Sequence, residues 1–303
     1  MAETASCGML LQMQPFSVND GQGIRTLIFL PGCNLRCQWC SNPETWTPEP
    51  KLAFYGNKCL GCGHCRSVCP KGIFPAERQA AAQGCDACGL CAAECPGKAL
   101  AVLCRSATAD EIVKRALRDE IFYRHSGGGV TFSGGEPLYQ EAFLRELSLR
   151  FERLGIDMWI ETCGFYQWDR VSDIFARLSH VFFDLKCMDS GLHRKLTGAP
   201  NDVILENAVH VHDLGLPMTV RIPCVKGVNF TPENIGATAK FMSMRLPKAE
   251  VELLPYHNFG SDKYRALGME DRLHEEFQKP EKEDLEAAKQ VFRGYGVKVT
   301  EYR

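Results

Sequence analysis

CNLRCQWC, residues 33–40, follows the apolar run Ile24–Leu30 and sets three cysteines, Cys33, Cys37 and Cys40, just beyond a segment that reads as a buried strand. Two more cysteine runs follow. Cys59, Cys62, Cys65 and Cys69 precede Pro70, and Cys85, Cys88, Cys91 and Cys95 precede Pro96. Both have the spacing C-x2-C-x2-C-x3-C-P, the bacterial ferredoxin pattern for a pair of [4Fe–4S] clusters. The first run has one cysteine fewer. A cubane cluster has four irons, so three thiolates leave one iron without a protein ligand, and an open position separates a catalytic metal site from a closed structural one. Eleven of the sixteen cysteines are thus assigned to two electron-carrying clusters and one cluster that binds something.

The surrounding chain alternates strand and helix. Ile24–Leu30, Val130–Ser133, Ile156–Glu161, Val181–Leu185, Met218–Ile222 and Val251–Leu254 read as buried parallel strands. Between them lie helical patterns. Thr108-x-x-Glu111 reads as a capping box, with Ile112, Ala116 and Leu117 on the inner face of the helix it opens. Glu141–Leu154 ends at Gly155, and Asn201–Leu214 ends at Gly215. Thr231-Pro232 starts another helix, and Glu281–Arg293 is the last, before a strand over Val297–Tyr302.

Six such units predict an α/β fold, a partial (β/α)6 TIM-like barrel, over 1–47 and 106–303. The two four-cysteine runs form a ferredoxin-like insertion over 48–105 with an internal period of 26 residues, Cys59 to Cys85. In such repeats the fourth cysteine of each run ligates the other cluster, which predicts the sets Cys59, Cys62, Cys65, Cys95 and Cys85, Cys88, Cys91, Cys69. Barrel chemistry sits at the C-terminal strand ends. There the sequence places Cys33, Cys37 and Cys40, then Gly134-Gly135-Glu136, Glu161-Thr162, Asp184 and Lys186, Arg221, and His257.

Lysine plus arginine is 35 and aspartate plus glutamate 37, without the basic excess of a nucleic-acid binder. The N-terminal residues show no signal peptide, and no apolar run reaches membrane-spanning length. A secreted disulfide framework belongs to short chains, so the cysteines read as metal ligands in a reducing compartment, and the expected location is the cytoplasm. Cys7, Cys104, Cys163, Cys187 and Cys224 fall outside the runs and read mostly as small buried hydrophobes.

Cys33-x3-Cys37-x2-Cys40, with Trp39 before the last cysteine, resembles the signature of radical S-adenosylmethionine (SAM) enzymes, and the resemblance covers essentially the whole chain. DGQGIRT, Asp20–Thr26, narrows it to the activating enzymes of glycyl radical enzymes, and the insertion points to the branch serving dehydratases, decarboxylases and C–X lyases. The resemblance implies three [4Fe–4S] clusters, SAM chelated by the open iron, and a monovalent cation near the SAM carboxylate. It implies Glu136 as acceptor for the methionyl ammonium, Gly134 and Gly135 in close backbone approach, and Asp184 and Lys186 holding the carboxylate or a cation beside it. Glu161 and Thr162 would make cation and ribose contacts, Arg221 would neutralise the carboxylate, and Trp39 and His257 would line the SAM site. Relatives often read D-T-N-G where this chain has ETCG, so Cys163 stands in place of an amide; DGPGIRT is likewise usual where Gln22 stands here. Asp20 would contact the glycyl loop of the partner. A glycyl radical enzyme is then the protein substrate, flavodoxin or ferredoxin the electron donor, and the chain a monomer.

Two other readings compete. A radical SAM enzyme acting on a small metabolite is disfavoured by DGQGIRT and by the absence of a further substrate domain. A plain ferredoxin-type carrier has no use for an open iron.

Overall fold

The strands that carry the fold are short and almost wholly apolar on one face. The computed structural model describes residues 7–74 and 84–301. Its strands are β1 (Cys7–Leu10), β2 (Gln12–Ser17), β3 (Arg25–Leu30), β4 (Lys51–Phe54), β5 (Leu100–Leu103), β6 (Arg105–Thr108), β7 (Gly129–Gly134), β8 (Asp157–Thr162), β9 (His180–Asp184), β10 (Met218–Cys224), β11 (Glu250–Pro255) and β12 (Lys298–Val299). Eight form one sheet in the order β12-β11-β10-β9-β8-β7-β3-β2. All neighbours in it run parallel except β2, which pairs antiparallel with β3. The six expected strands are therefore consecutive neighbours. The sheet stays open, because its edge strands β2 and β12 are not paired with each other.

Period-two alternation divides the sheet into two chemistries. One row runs Ile28, Phe132, Ile160, Val181 through direct register partners, and all four are fully buried. It faces the helices; Phe132, for example, meets Phe151 at 6.1 Å. The other face is polar and aromatic, carrying Arg25, Thr131, Trp159, His180, Phe182 and Arg221. The Arg25 guanidinium lies over Trp159 (4.7 Å), Trp159 stacks on His180 (4.1 Å), and Arg221 lies over Phe182 (3.5 Å). Arg25 is fully buried, yet it is paired with Asp157 (2.9 Å) and donates to Thr131 Oγ1 and the Val130 carbonyl. A buried charge persists when it is both paired and hydrogen-bonded in this way.

The helices are α1 (His64–Ser67), α2 (Leu90–Ala93), α3 (Ala109–Ala116), α4 (Glu120–Ser126), α5 (Glu141–Arg153), α6 (Trp168–Phe175), α7 (Ser190–Thr197), α8 (Asp202–Asp213), α9 (Pro232–Arg245), α10 (Ser261–Ala266) and α11 (Lys282–Gly294). The α5 pattern buries Phe143, Leu144, Leu147 and Phe151 as the 3.6-residue period requires. At α9, Thr231 accepts from the Asn234 N–H with Pro232 at the first helical position. At α3 the capping box forms by half. Thr108 Oγ1 accepts from the Glu111 N–H, but the Glu111 carboxylate bonds Arg105 instead of turning back to the cap. Leu117, expected on the inner face of α3, lies beyond its end and is half-buried. The last strand is two residues, shorter than Val297–Tyr302, and Tyr302 lies outside the described residues.

The stretch expected to be an insertion contains β4 and β5, an antiparallel pair, with the one-turn helices α1 and α2 between them. The helices begin 26 residues apart, at His64 and Leu90, and repeat the period of the cysteines. Gly61 and Ala87, also 26 apart, share a left-handed backbone. Arg105, read as the last residue of this stretch, already pairs with Leu10 through β6 and β1.

Candidate active site

The loop after β3 is stitched on three sides. The Gly32 N–H donates to the Thr45 carbonyl (2.7 Å), the Arg36 and Gln38 N–H groups to the Thr197 and Leu196 carbonyls at the end of α7, and the Glu136 N–H to the Gly32 carbonyl (2.7 Å). This fixes Cys33, Cys37 and Cys40 on one wall of a cavity of about 200 Å³. Trp39, Trp46, Gly134, Gly135, Cys163, Asp184, Lys186 and Leu254 are among its other lining residues. The structure thus gathers the three cysteines with the ends of β7, β8, β9 and β11.

The thiols here are poorly solvated. Burial pushes Cys37 up to about 12 and Cys40 to about 11. Without a cation they stay protonated; thiolate ligation therefore requires the positive charge of iron inside the cavity. Lys186 is buried and paired with Asp184 at 2.8 Å. Burial alone would lower its pKa, but the Asp184 carboxylate holds it above the ordinary lysine value, so it enters the cavity as a cation.

All three cysteine runs repeat one local device. The backbone N–H two residues after the first cysteine points at its sulfur at 3.4 Å: Leu35 to Cys33, Gly61 to Cys59, Ala87 to Cys85. Such contacts suit sulfurs that carry negative charge. Cys69 lies with Cys85, Cys88 and Cys91 around one small cavity beside Ile73 and Leu90, the grouping that the crossed ligand rule gives. Among the described residues, no three His, Cys, Asp or Glu side chains converge as a single metal ion would require. The three thiols of the first run are instead spread around a cavity, an arrangement suited to a multi-iron cluster.

Several expected contacts are engaged elsewhere. The Glu136 carboxylate is buried and does not line the cavity. It accepts from the Leu138 N–H (3.2 Å), the Thr162 hydroxyl (2.9 Å) and the Cys163 N–H (2.7 Å), so it braces the β7 and β8 ends. Thr162 is spent on that brace. Arg221 is held between Glu252 (2.8 Å) and Glu161 (2.5 Å), and Ser133 Oγ also donates to Glu161. Arg221 therefore has its charge neutralised inside the sheet. His257 is exposed on the loop after β11 and stacks on Phe259. None of these five lines the cavity. Asp20 accepts from Ser17 Oγ, and its carbonyl accepts from Thr131 Oγ1, which holds the β2–β3 loop against the polar face. Cys163 is the lining residue that the sequence reading placed among the bystanders.

Residues 27–242 match the family model of the radical SAM superfamily. The chain is 36% identical over 285 residues to the isethionate sulfite-lyase activating enzyme of Nitratidesulfovibrio vulgaris, covering 91% of this chain and 92% of that protein. It is 35% identical over 302 residues to the 4-hydroxyphenylacetate decarboxylase activating enzyme of Clostridioides difficile, covering 96% and 94%. The chain belongs to the radical SAM superfamily, among the activating enzymes of glycyl radical enzymes. Its fold is shared with a radical SAM methyltransferase from Sphaerobacter thermophilus at a TM-score of 0.52 and 13% identity, over 95% of this chain and 76% of that one.

Membership of the radical SAM family implies a [4Fe–4S] cluster and SAM, and the cavity has what they need. Its lining brings together three thiols, the Gly134–Gly135 backbone, and the ion pair of buried Lys186 with half-buried Asp184. Both glycines are required by packing. Gly134 has φ +129° and a Cβ there would fall 2.3 Å from the Leu30 carbonyl oxygen; at Gly135 it would fall 2.5 Å from that of Gly32. Among the described residues of this radical SAM protein, no helix is long and apolar enough to cross a membrane.

Proposed function

We propose that this enzyme activates a glycyl radical enzyme of the lyase or decarboxylase type. SAM takes up one electron and its sulfonium C–S bond breaks, giving methionine and a 5′-deoxyadenosyl radical. That radical takes a hydrogen atom from a glycine Cα of the partner, leaving 5′-deoxyadenosine and a glycyl radical. A cluster held by Cys33, Cys37 and Cys40 supplies, when bound, the electron and an open iron for the amino and carboxylate groups of SAM. The protein's share is binding and exclusion. Lys186, kept cationic by Asp184, would hold the methionyl carboxylate; Gly134 and Gly135 would let the backbone approach the amino group; Trp39 would help to exclude water from the cluster. The gathering of three thiols, two glycines and an Asp184–Lys186 ion pair around one cavity carries this reading.

The eight cysteines from Cys59 to Cys95 hold two further clusters in this proposal, within an inserted segment that passes electrons inward from a flavodoxin or ferredoxin. The grouping of Cys69 with the second run supports it. Anaerobic reconstitution then loads about twelve irons per chain, four for each cluster. The activity test mixes the reduced protein and SAM with candidate partners of the isethionate sulfite-lyase and hydroxyphenylacetate decarboxylase types. A glycyl radical EPR signal from one partner is the expected result. SAM cleavage with no radical on any glycyl radical enzyme, together with turnover of a small metabolite, would favour the alternative reading.

A further inference from the structure

The two four-cysteine runs align at an offset of 26 residues, Cys59 with Cys85, and the offset matches their surroundings one residue to one. Beside the second run, Lys71 and Asp86 close the rim with an ion pair (3.0 Å), and Lys71 Nζ also donates to the Gly84 carbonyl (2.8 Å). The positions that answer to Lys71, Asp86 and Gly84 beside the first run are Gly97, Leu60 and Lys58. They meet in the same way. A Cβ on Gly97 would lie 2.4 Å from the Lys58 carbonyl oxygen and 3.1 Å from Leu60 Cγ. The backbone scaffold is repeated, and the side chains on it are not.

Leu60 has no charge to pair and stands 70% exposed. Gly97 leaves no room for a side chain, so nothing covers this rim as Lys71 covers the other. Lys98 answers to Gly72 and keeps its left-handed backbone, φ +50° against +67°, a region that favours glycine. A lysine there is a charge placed against the preference of the backbone, which points to a use for it. Lys58 and Lys98 are both exposed and flank the Leu60–Gly97 contact; Lys58 lies over the Tyr55 ring (5.1 Å). The Glu94 carboxylate, next to Cys95, faces His64 (3.8 Å). The second run lies deeper. Of its four cysteines only Cys88 is exposed and Cys91 is buried, Leu52 of β4 lines its cavity, and α2 packs on β5. In the first run Cys59 and Cys62 are both exposed.

We propose that the rim of Leu60 and Gly97, flanked by Lys58 and Lys98, is the docking surface for an acidic one-electron carrier protein, which reduces the cluster of the first run. This rests on the reading that Cys59, Cys62, Cys65 and Cys95 hold that cluster. The carrier loses one electron, the cluster gains it, and no bond or proton is exchanged. An apolar centre between positive charges complements an acidic surface around an exposed redox group, and the charges speed the encounter. Such encounters bury little area, less than about 1,200 Å², so a small rim suffices.

The test uses the fully loaded chain, mixed rapidly and anaerobically with reduced flavodoxin and, separately, with reduced ferredoxin. The bleaching of cluster absorbance gives the rate. Cys37→Ala, expected to retain about eight irons that dithionite reduces, checks the cluster reading separately. Lys98→Gly installs the residue of the second run at a position whose backbone suits it, so it is expected to load iron as the wild type does. Combined with Lys58→Gln, it is expected to slow second-order reduction by the carrier about tenfold at low salt and to flatten its dependence on ionic strength. Leu60→Asp, again the residue of the second run, is expected to slow it as well, and dithionite should reduce every variant to the wild-type extent. Lys71→Gly, on the other rim, is expected to stay within about twofold of the wild-type rate at the same salt. A wild-type rate in the double lysine variant overturns the proposal, and so does reduction of the wild type by neither carrier. Equal slowing by Lys71→Gly overturns it too, because net charge would then be the cause. Should Leu60→Asp lose iron, the lysine variants decide. Absence of the eight irons from Cys37→Ala overturns the cluster reading as well; their presence with an unchanged rate overturns the docking surface alone.

Discussion

Gly135 admits no side chain, because an added methyl would meet two backbone oxygens, those of Gly32 at 2.5 Å and Thr45 at 2.9 Å. Neither can rotate aside, so Gly135→Ala must push the cysteine loop and the β7 end apart. The expected outcome is retained iron with SAM cleavage slowed about 10²-fold, the usual effect of a displacement near 1 Å at a reacting centre; cleavage at the wild-type rate would show that the loop yields. His180 offers a different test. Burial lowers it from 6.5 to about 4, so the folded chain leaves it neutral over a pH range where the unfolded chain protonates it. Stability is then full above pH 6.5 and declines as pH falls toward 4, by at most about 3 kcal/mol. His180→Gln is expected to flatten that slope between pH 6.5 and 4, measured by anaerobic denaturant titration; an equal slope would assign the acid sensitivity elsewhere. At this scale the site was half legible in sequence. That Cys33, Cys37, Cys40, Gly134, Gly135, Asp184 and Lys186 would come together at one cavity was readable from spacing and strand-end position. Glu136 and Arg221 do not line the cavity here; each is engaged by partners, Cys163 and Thr162 or Glu161 and Glu252, that no local pattern announces.

Helix α5 and the cap of α9 separate packing from local propensity. Phe151 is fully buried against Phe132, and Phe151→Ala is expected to cost about 3–5 kcal/mol. Thr231→Ala removes a single cap bond and is expected to cost about 1 kcal/mol. Denaturant midpoints of the two variants check the ranking, and a larger loss at Thr231 would mean that α9 is held by its start and not by its buried face. The βα units were readable because each strand is an unbroken apolar run and each helix has a period and a stop. The pairs β1–β6 and β4–β5, and the edge strand β2, were not. They are four to six residues long and carry mixed burial, and β1–β6 and β4–β5 owe their existence to partners far along the chain, such as Leu10 to Arg105. The half-formed box at Thr108 has the same origin, since Arg105 takes the Glu111 carboxylate through a contact that the cap motif does not encode.

Across the whole molecule, the sheet's open side and the β2–β3 loop decide how a partner is met. Asp20 sits on that loop, and the loop is anchored through its own backbone and Ser17. An extended glycyl segment must come within about 3–4 Å of the deoxyadenosyl carbon, which an open sheet allows and a closed barrel does not. Asp20→Asn is therefore expected to keep uncoupled SAM cleavage while lowering the glycyl radical yield, both read in one anaerobic assay. Equal loss of the two would place Asp20 among the supports of the cysteine loop. The cavity itself has a further consequence, one of time. Its walls are drawn from Cys33 at one extreme to Leu254 at the other, 221 residues later. At ribosomal speeds of about 5–20 residues per second, about 11–44 s pass between the synthesis of its first sulfur and its last wall. Throughout that interval the thiols have no enclosure, and oxidation can reach them before folding does. Expression under air is therefore expected to lower iron occupancy relative to anaerobic expression, read as iron per chain after identical anaerobic purification; equal occupancy would show that the exposed thiols survive the interval.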